Sequence, residues 1–156
     1  MAQRKAVEPS AKKSASGFTP EERAAMRERV RELKARALAE DGERAVAAKI
    51  AAMPKSDRVI GERIHAIVKA TAPGLTPRTW YGMPAFSRGE RIVCFFRPAE
   101  KFKTRYATLG FSDESNLDEG SMWPTDFAIT GLGPSEEAKI IALVKRAVSE
   151  PKGAGR

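Results

Sequence analysis

A chain of 156 residues with a single cysteine is long enough for one domain to bury a core without disulfides or a structural metal. Its 42% hydrophobic share is ordinary for a globular protein, and no run of about 18 apolar residues exists to cross a bilayer, so no membrane partner is expected. The net charge of +8 invites a polyanion, but from Tyr106 to Ala138 there is no Lys or Arg, while Asp113, Glu114, Asp118, Glu119, Asp126, Glu136 and Glu137 all fall there.

The first stretch, residues 1–17, is rich in Ala, Ser and Lys, has no apolar leader, and reads as a disordered tail; 151–156 reads the same way. With one thiol and no leader, the expected compartment is the cytoplasm. Thr19, Pro20 and Glu22 form a Thr-x-x-Glu capping box that predicts a helix start. Met26, Val30, Leu33 and Ala37 then recur at helical spacing, a narrow stripe expected to dock this accessory helix (18–41) on its own domain rather than in a coiled coil with a partner. Asp41-Gly42 is read as a break before a short second helix, Glu43 to Met53, that Pro54 stops.

The main domain is placed at 42–150. Ser56 is expected to cap a helix with Ile60, Ile64, Ile67 and Val68 on one face. The segment from Arg78 to Phe111 is rich in aromatic and β-branched residues, and reads as three strands joined by hairpins. Arg91 to Arg97 is apolar at five consecutive positions, which predicts a central strand covered on both faces. Asp126 to Leu132 reads as a fourth strand, and Ser135 as the cap of a last helix with Ile140, Ile141, Val144 and Val148 inward. Together these predict an α+β two-layer sandwich: an antiparallel sheet with helices packed on one face.

Trp80-Tyr81-Gly82-Met83-Pro84, Val93-Cys94-Phe95-Phe96, Lys101-Phe102-Lys103-Thr104-Arg105-Tyr106, Leu109-Gly110-Phe111, Asn116-Leu117-Asp118 and Met122-Trp123-Pro124 follow one another along the chain. This succession resembles the signatures of the YdhG-like family of small bacterial proteins, over about Ala45 to Val148. The resemblance implies a frataxin-like fold and a non-enzymatic iron chaperone, with iron as cargo and iron-sulfur or haem assembly proteins as partners.

Residue chemistry points the same way on catalysis. One histidine and one cysteine allow no catalytic triad and no closed zinc site, and there is no phosphate-binding glycine loop. His65 is expected to be structural or merely superficial, and Cys94 to pack in the core as a small hydrophobe. Lys101, Lys103 and Arg105, two apart on an expected strand, share a side of the sheet, which fits an anion or nucleic-acid surface or a solvated edge strand. Arg91 and Arg97 share a parity with Val93 and Phe95. Trp80, Tyr81, Tyr106 and Trp123 are large aromatics with polar handles, suited to cores and to ligand or protein surfaces alike. Asp113, Glu114, Asp118 and Glu119 offer the hard oxygen ligands that iron accepts, and Asp118 alternatively caps a turn or pairs with Lys101, Lys103 or Arg105.

Overall fold

The computed structural model describes residues 17–150. The expected tails therefore lie outside the described residues, apart from Gly17. The chain divides into two compact units between Leu38 and Ala39. Among the described residues no helix is long and apolar enough to cross a membrane.

The first unit holds the start of helix α1 (Pro20–Ala51). Its capping box forms as the residue types require: the Thr19 N–H donates to Glu22 Oε1 at 2.8 Å, and the Glu22 N–H donates to Thr19 Oγ1 at 3.0 Å. Along its apolar stripe Met26, Val30 and Leu33 are 50%, 49% and 47% exposed.

The expected break at Asp41-Gly42 is absent, and α1 runs on as one helix of 32 residues. A glycine inside a helix costs only about 1 kcal/mol relative to Ala, and here the missing side chain has a use. A Cβ on Gly42 would lie 1.8 Å from the Pro77 carbonyl oxygen, so only glycine admits that backbone so close. Asp41 also pairs with Arg44 one turn on. Pro54 ends the run as expected. It serves as N-cap of α2 (Lys55–Thr71), displacing Ser56 from that role, and its carbonyl accepts the Arg58 N–H at 2.8 Å.

Five strands follow in simple antiparallel succession: β1 (Thr76–Trp80), β2 (Met83–Arg88), β3 (Arg91–Arg97), β4 (Ala107–Phe111) and β5 (Asp126–Ile129). The aromatic segment thus holds four strands rather than three, because Tyr81-Gly82 is a two-residue turn and not strand interior. The segment 101–106 is not a strand either: Pro98 is followed by a one-turn helix, α3 (Ala99–Phe102). The last helix, α4 (Pro134–Val148), starts from Gly133, not Ser135, and the Gly133 N–H donates to Glu136 Oε1 at 2.7 Å.

Val46 and Ile50 of α1, the inward face of α2, and Ile140, Val144 and Ala147 of α4 join Phe86, Cys94, Phe96, Leu109 and Phe111 in one core cluster. Strand alternation puts those sheet residues on one face, so the helices pack on that face of a five-stranded antiparallel sheet, the α+β layering expected. Arg63 of α2 grips Glu137 of α4 with two bonds of 2.8 and 2.9 Å. Arg63 donation holds the Glu137 carboxyl below the usual carboxylate range. Strand β3 is central and covered on both faces, with Phe95 forming a small outer cluster with Met83 and Ala85 beside Trp80.

Candidate functional site

Three pieces of chain meet at the end of the sheet where β1 turns into β2. The first is the turn itself. Tyr81 and Gly82 both have positive φ, 51° and 77°, the geometry that a two-residue hairpin needs to match strand twist. Asn-Gly is the usual solution. A tyrosine in the left-handed region costs about 1–2 kcal/mol, yet Tyr81 recovers little by packing, being 80% exposed. Its ring meets Trp80 edge-on at 5.1 Å, and Trp80 leans on Phe95 at 5.3 Å.

The second piece is the end of β3. Arg97 stands over the Phe95 ring at 5.7 Å, and that ring lies across Gly110, where a Cβ would come within 2.2 Å of it. A tier of Tyr81, Trp80, Phe95 and Arg97 therefore crosses the face of the sheet opposite the helical core.

The third piece is α3 and the turn after it. Lys101 lies on α3, Lys103 is its C-cap in a left-handed conformation at φ 55°, and Arg105 follows in the turn. The expected alternation along a strand is thus absent, and the three cations stand exposed on a short helix and the turn after it. Lys101 Nζ reaches the Gly82 carbonyl at 3.3 Å, which joins the WYGMP and KFKTRY motifs directly. Arg105 stands over the half-buried Tyr106 ring at 5.1 Å.

What makes this segment helical is a residue that sequence reasoning passed over. Asp57, 3% exposed on α2, accepts the Ala99 N–H and the Glu100 N–H, each at 3.0 Å. Those are orphan donors of the first turn of α3, and a buried carboxylate answers both. The available signal was Pro98 followed by Ala-Glu-Lys, a helix opening in composition.

The acidic residues lie toward the opposite end of the sheet, beyond β4. Glu114 is 3.5 Å from Arg91. Asp113 and Glu119 are exposed, Asp118 is half-buried, and among the described residues no three His, Cys, Asp or Glu side chains stand together as a metal group. Asp113, Glu114 and Asp118 instead share a cleft of about 600 Å³ with Arg88 and Trp123. Trp123 thus belongs to a different place from Trp80 and Tyr81. The loop that carries Asp118 leaves β4 at Phe111, the end of that strand away from Lys101, Lys103 and Arg105.

His65 has its Nε2 buried 2.7 Å from Glu43 Oε1, though not aligned as a hydrogen bond, and its ring 5.9 Å from Phe86. Cys94 is buried as expected, and burial pushes its thiol up to about 12. Comparisons with protein families, curated proteins and solved structures find no match to this chain.

Proposed function

We propose that this protein is a non-enzymatic binder of anionic ligands, with single-stranded nucleic acid as the ligand class that best uses the Tyr81 end of the sheet. The observation that carries the reading is Tyr81 itself, held out to solvent in an unfavourable conformation next to Lys101. Residues kept in sparsely populated backbone regions concentrate at binding sites. An exposed ring offers a base a stacking surface, and Lys101, Lys103, Arg105 and Arg97 offer its flanking phosphates charge.

The iron-chaperone reading, with iron-sulfur or haem assembly partners, is supported by the YdhG-like resemblance of the motifs. Among the described residues no group of three His, Cys, Asp or Glu side chains adds to it, and Glu114 is already engaged by Arg91. The anion reading is therefore preferred, within the same resemblance.

Fluorescence titration of a Trp123→Phe background, in which Trp80 is the remaining indole, tests it. A single-stranded oligonucleotide should quench Trp80, and added salt should weaken binding. Lys101→Gln with Arg105→Gln should weaken both oligonucleotide and inorganic polyphosphate. Tyr81→Ala should weaken the oligonucleotide about 5- to 150-fold, from a stacking contribution of about 1–3 kcal/mol, and leave polyphosphate nearly unchanged. Quenching indifferent to salt and to these substitutions would refute the reading.

A further inference from the structure

The first helical unit carries a pattern that the nucleic-acid reading does not use. Met26, Val30, Leu33 and Ala37 are spaced four, three and four apart, which is the d-a-d-a seam of a heptad. Met26, Val30 and Leu33 are each about half exposed, so the seam is open along its length. The charges around it are sorted. The flanking e and g positions between 27 and 36 are Arg27, Arg29, Lys34 and Arg36, all basic. Glu28 and Glu32 fall at the outer f and c positions, where Glu28 pairs with Arg31 at 2.5 Å and Glu32 with Arg29 at 3.4 Å.

We infer that this seam docks an amphipathic helix of a partner protein whose own e and g positions are acidic. In coiled coils the apolar seam supplies attraction, and the e and g charges select the partner. A second copy of this helix would set Arg29 against Lys34 in a parallel pair. An antiparallel pair would likewise oppose cations from both helices. Within the described residues of the first unit Glu22 is the one acidic e or g position, and it already holds the Thr19 N–H of the capping box. An acidic helix matches all four flanking cations and covers the three exposed apolar side chains.

The test uses the full chain with three synthetic helical peptides of equal length. One has Leu at a and d with Glu at e and g; the second has Lys at e and g; the third keeps the Glu residues and has Ser at a and d. Anisotropy of the labelled Glu/Leu peptide should rise on titration, with affinity at least tenfold above that of the other two. Leu33→Ser should weaken it at least tenfold while leaving the thermal transition of the chain in place. Arg29→Glu with Lys34→Glu should remove the preference for the Glu peptide over the Lys peptide. Equal binding of the Ser peptide would reduce the site to charge alone and overturn the inference. So would a concentration-dependent dimer abolished by Leu33→Ser, which would make a second copy the occupant. Binding to phosphatidylserine vesicles that requires Leu33, without peptide binding, would also overturn it in favour of a lipid surface.

Discussion

Asp57 sets the position of the cations at the proposed site, and its removal should be costly in a graded way. The carboxylate is 3% exposed and accepts two backbone N–H groups at 3.0 Å each, from Ala99 and Glu100. Hydrogen bonds to a charged group contribute about 1.5–3 kcal/mol each, and the two share one acceptor, so they do not add fully. Asp57→Ala should therefore lower unfolding stability by about 3 kcal/mol, or roughly 10 °C in melting temperature for a domain of this size. Asp57→Asn keeps the volume and one acceptor oxygen but turns an amide N–H₂ toward the second donor, so its loss should be smaller. Urea unfolding measures both, and amide exchange at Ala99 and Glu100 should accelerate before the rest of the sheet does. A loss under about 1 kcal/mol for Asp57→Ala, or unchanged exchange at those amides, would refute the claim that Asp57 organises α3.

Gly42→Ala should destabilise despite its better helix propensity: the gain of about 1 kcal/mol meets a Cβ 1.8 Å from a backbone oxygen, and overpacking costs about 1–3 kcal/mol or more. Gly131→Ala, with open space around it, should change stability by no more than about 0.5 kcal/mol; a raised melting temperature for Gly42→Ala would show that Pro77 does not approach the helix. The Cys94 thiol, raised from 9.0 to about 12, keeps its proton in the folded state while the unfolded state loses it, so stability is fully present below pH 9 and falls as pH rises toward 12. At pH 10 the difference is on the order of 1 kcal/mol, and a Cys94→Ala variant should lack this part of the alkaline loss; identical pH profiles would contradict it. Tyr81→Asn should leave stability unchanged or raise it by up to about 1 kcal/mol, because Asn tolerates the left-handed conformation, while oligonucleotide binding falls; marked destabilisation would mean that the ring serves the fold.

Where the fold was legible, short-range signals carried the information. The capping box at Thr19, the apolar face of α2 and the five consecutive apolar residues of β3 each predict their own environment, because burial follows directly from residue type and period. The failures share a different cause: the deciding partner is far away in sequence. Gly42 reads as a break until Pro77 is seen against it. The 101–106 segment alternates charged and aromatic residues like a strand, but Asp57, more than 40 residues earlier, captures the amides that open a helical turn. Tyr-Gly was missed as a hairpin turn because tyrosine rarely occupies its first position. The residue types of the candidate site were legible; their geometry depended on these distant contacts. For the acidic loop the types were legible too, but Arg91 pairs with Glu114, and although Asp113, Glu114 and Asp118 line one cleft, among the described residues no three such side chains stand together as a metal group.

The altered geometry changes what the site can bind. Three cations alternating along a strand would line a straight track several nucleotides long. Lys101, Lys103 and Arg105 are instead distributed over α3 and its following turn, with Lys101 bonded to the Gly82 carbonyl beside Tyr81 and Arg105 over the Tyr106 ring. In the proposed reading this grouping is an arc suited to one stacked base and the phosphates on either side of it. Each neutralised phosphate of a single strand contributes about 0.7 to the salt slope, so three or four contacts set the slope of log K against log salt at about −2 to −3. Lengthening the oligonucleotide beyond four or five nucleotides should then change affinity only by the number of equivalent binding frames. The check is a set of titrations at several salt concentrations with oligonucleotides of four, eight and sixteen nucleotides. A slope near −6, or affinity that climbs steeply with length, would mean that the ligand also covers cations away from this end of the sheet, and the one-base arc would be wrong.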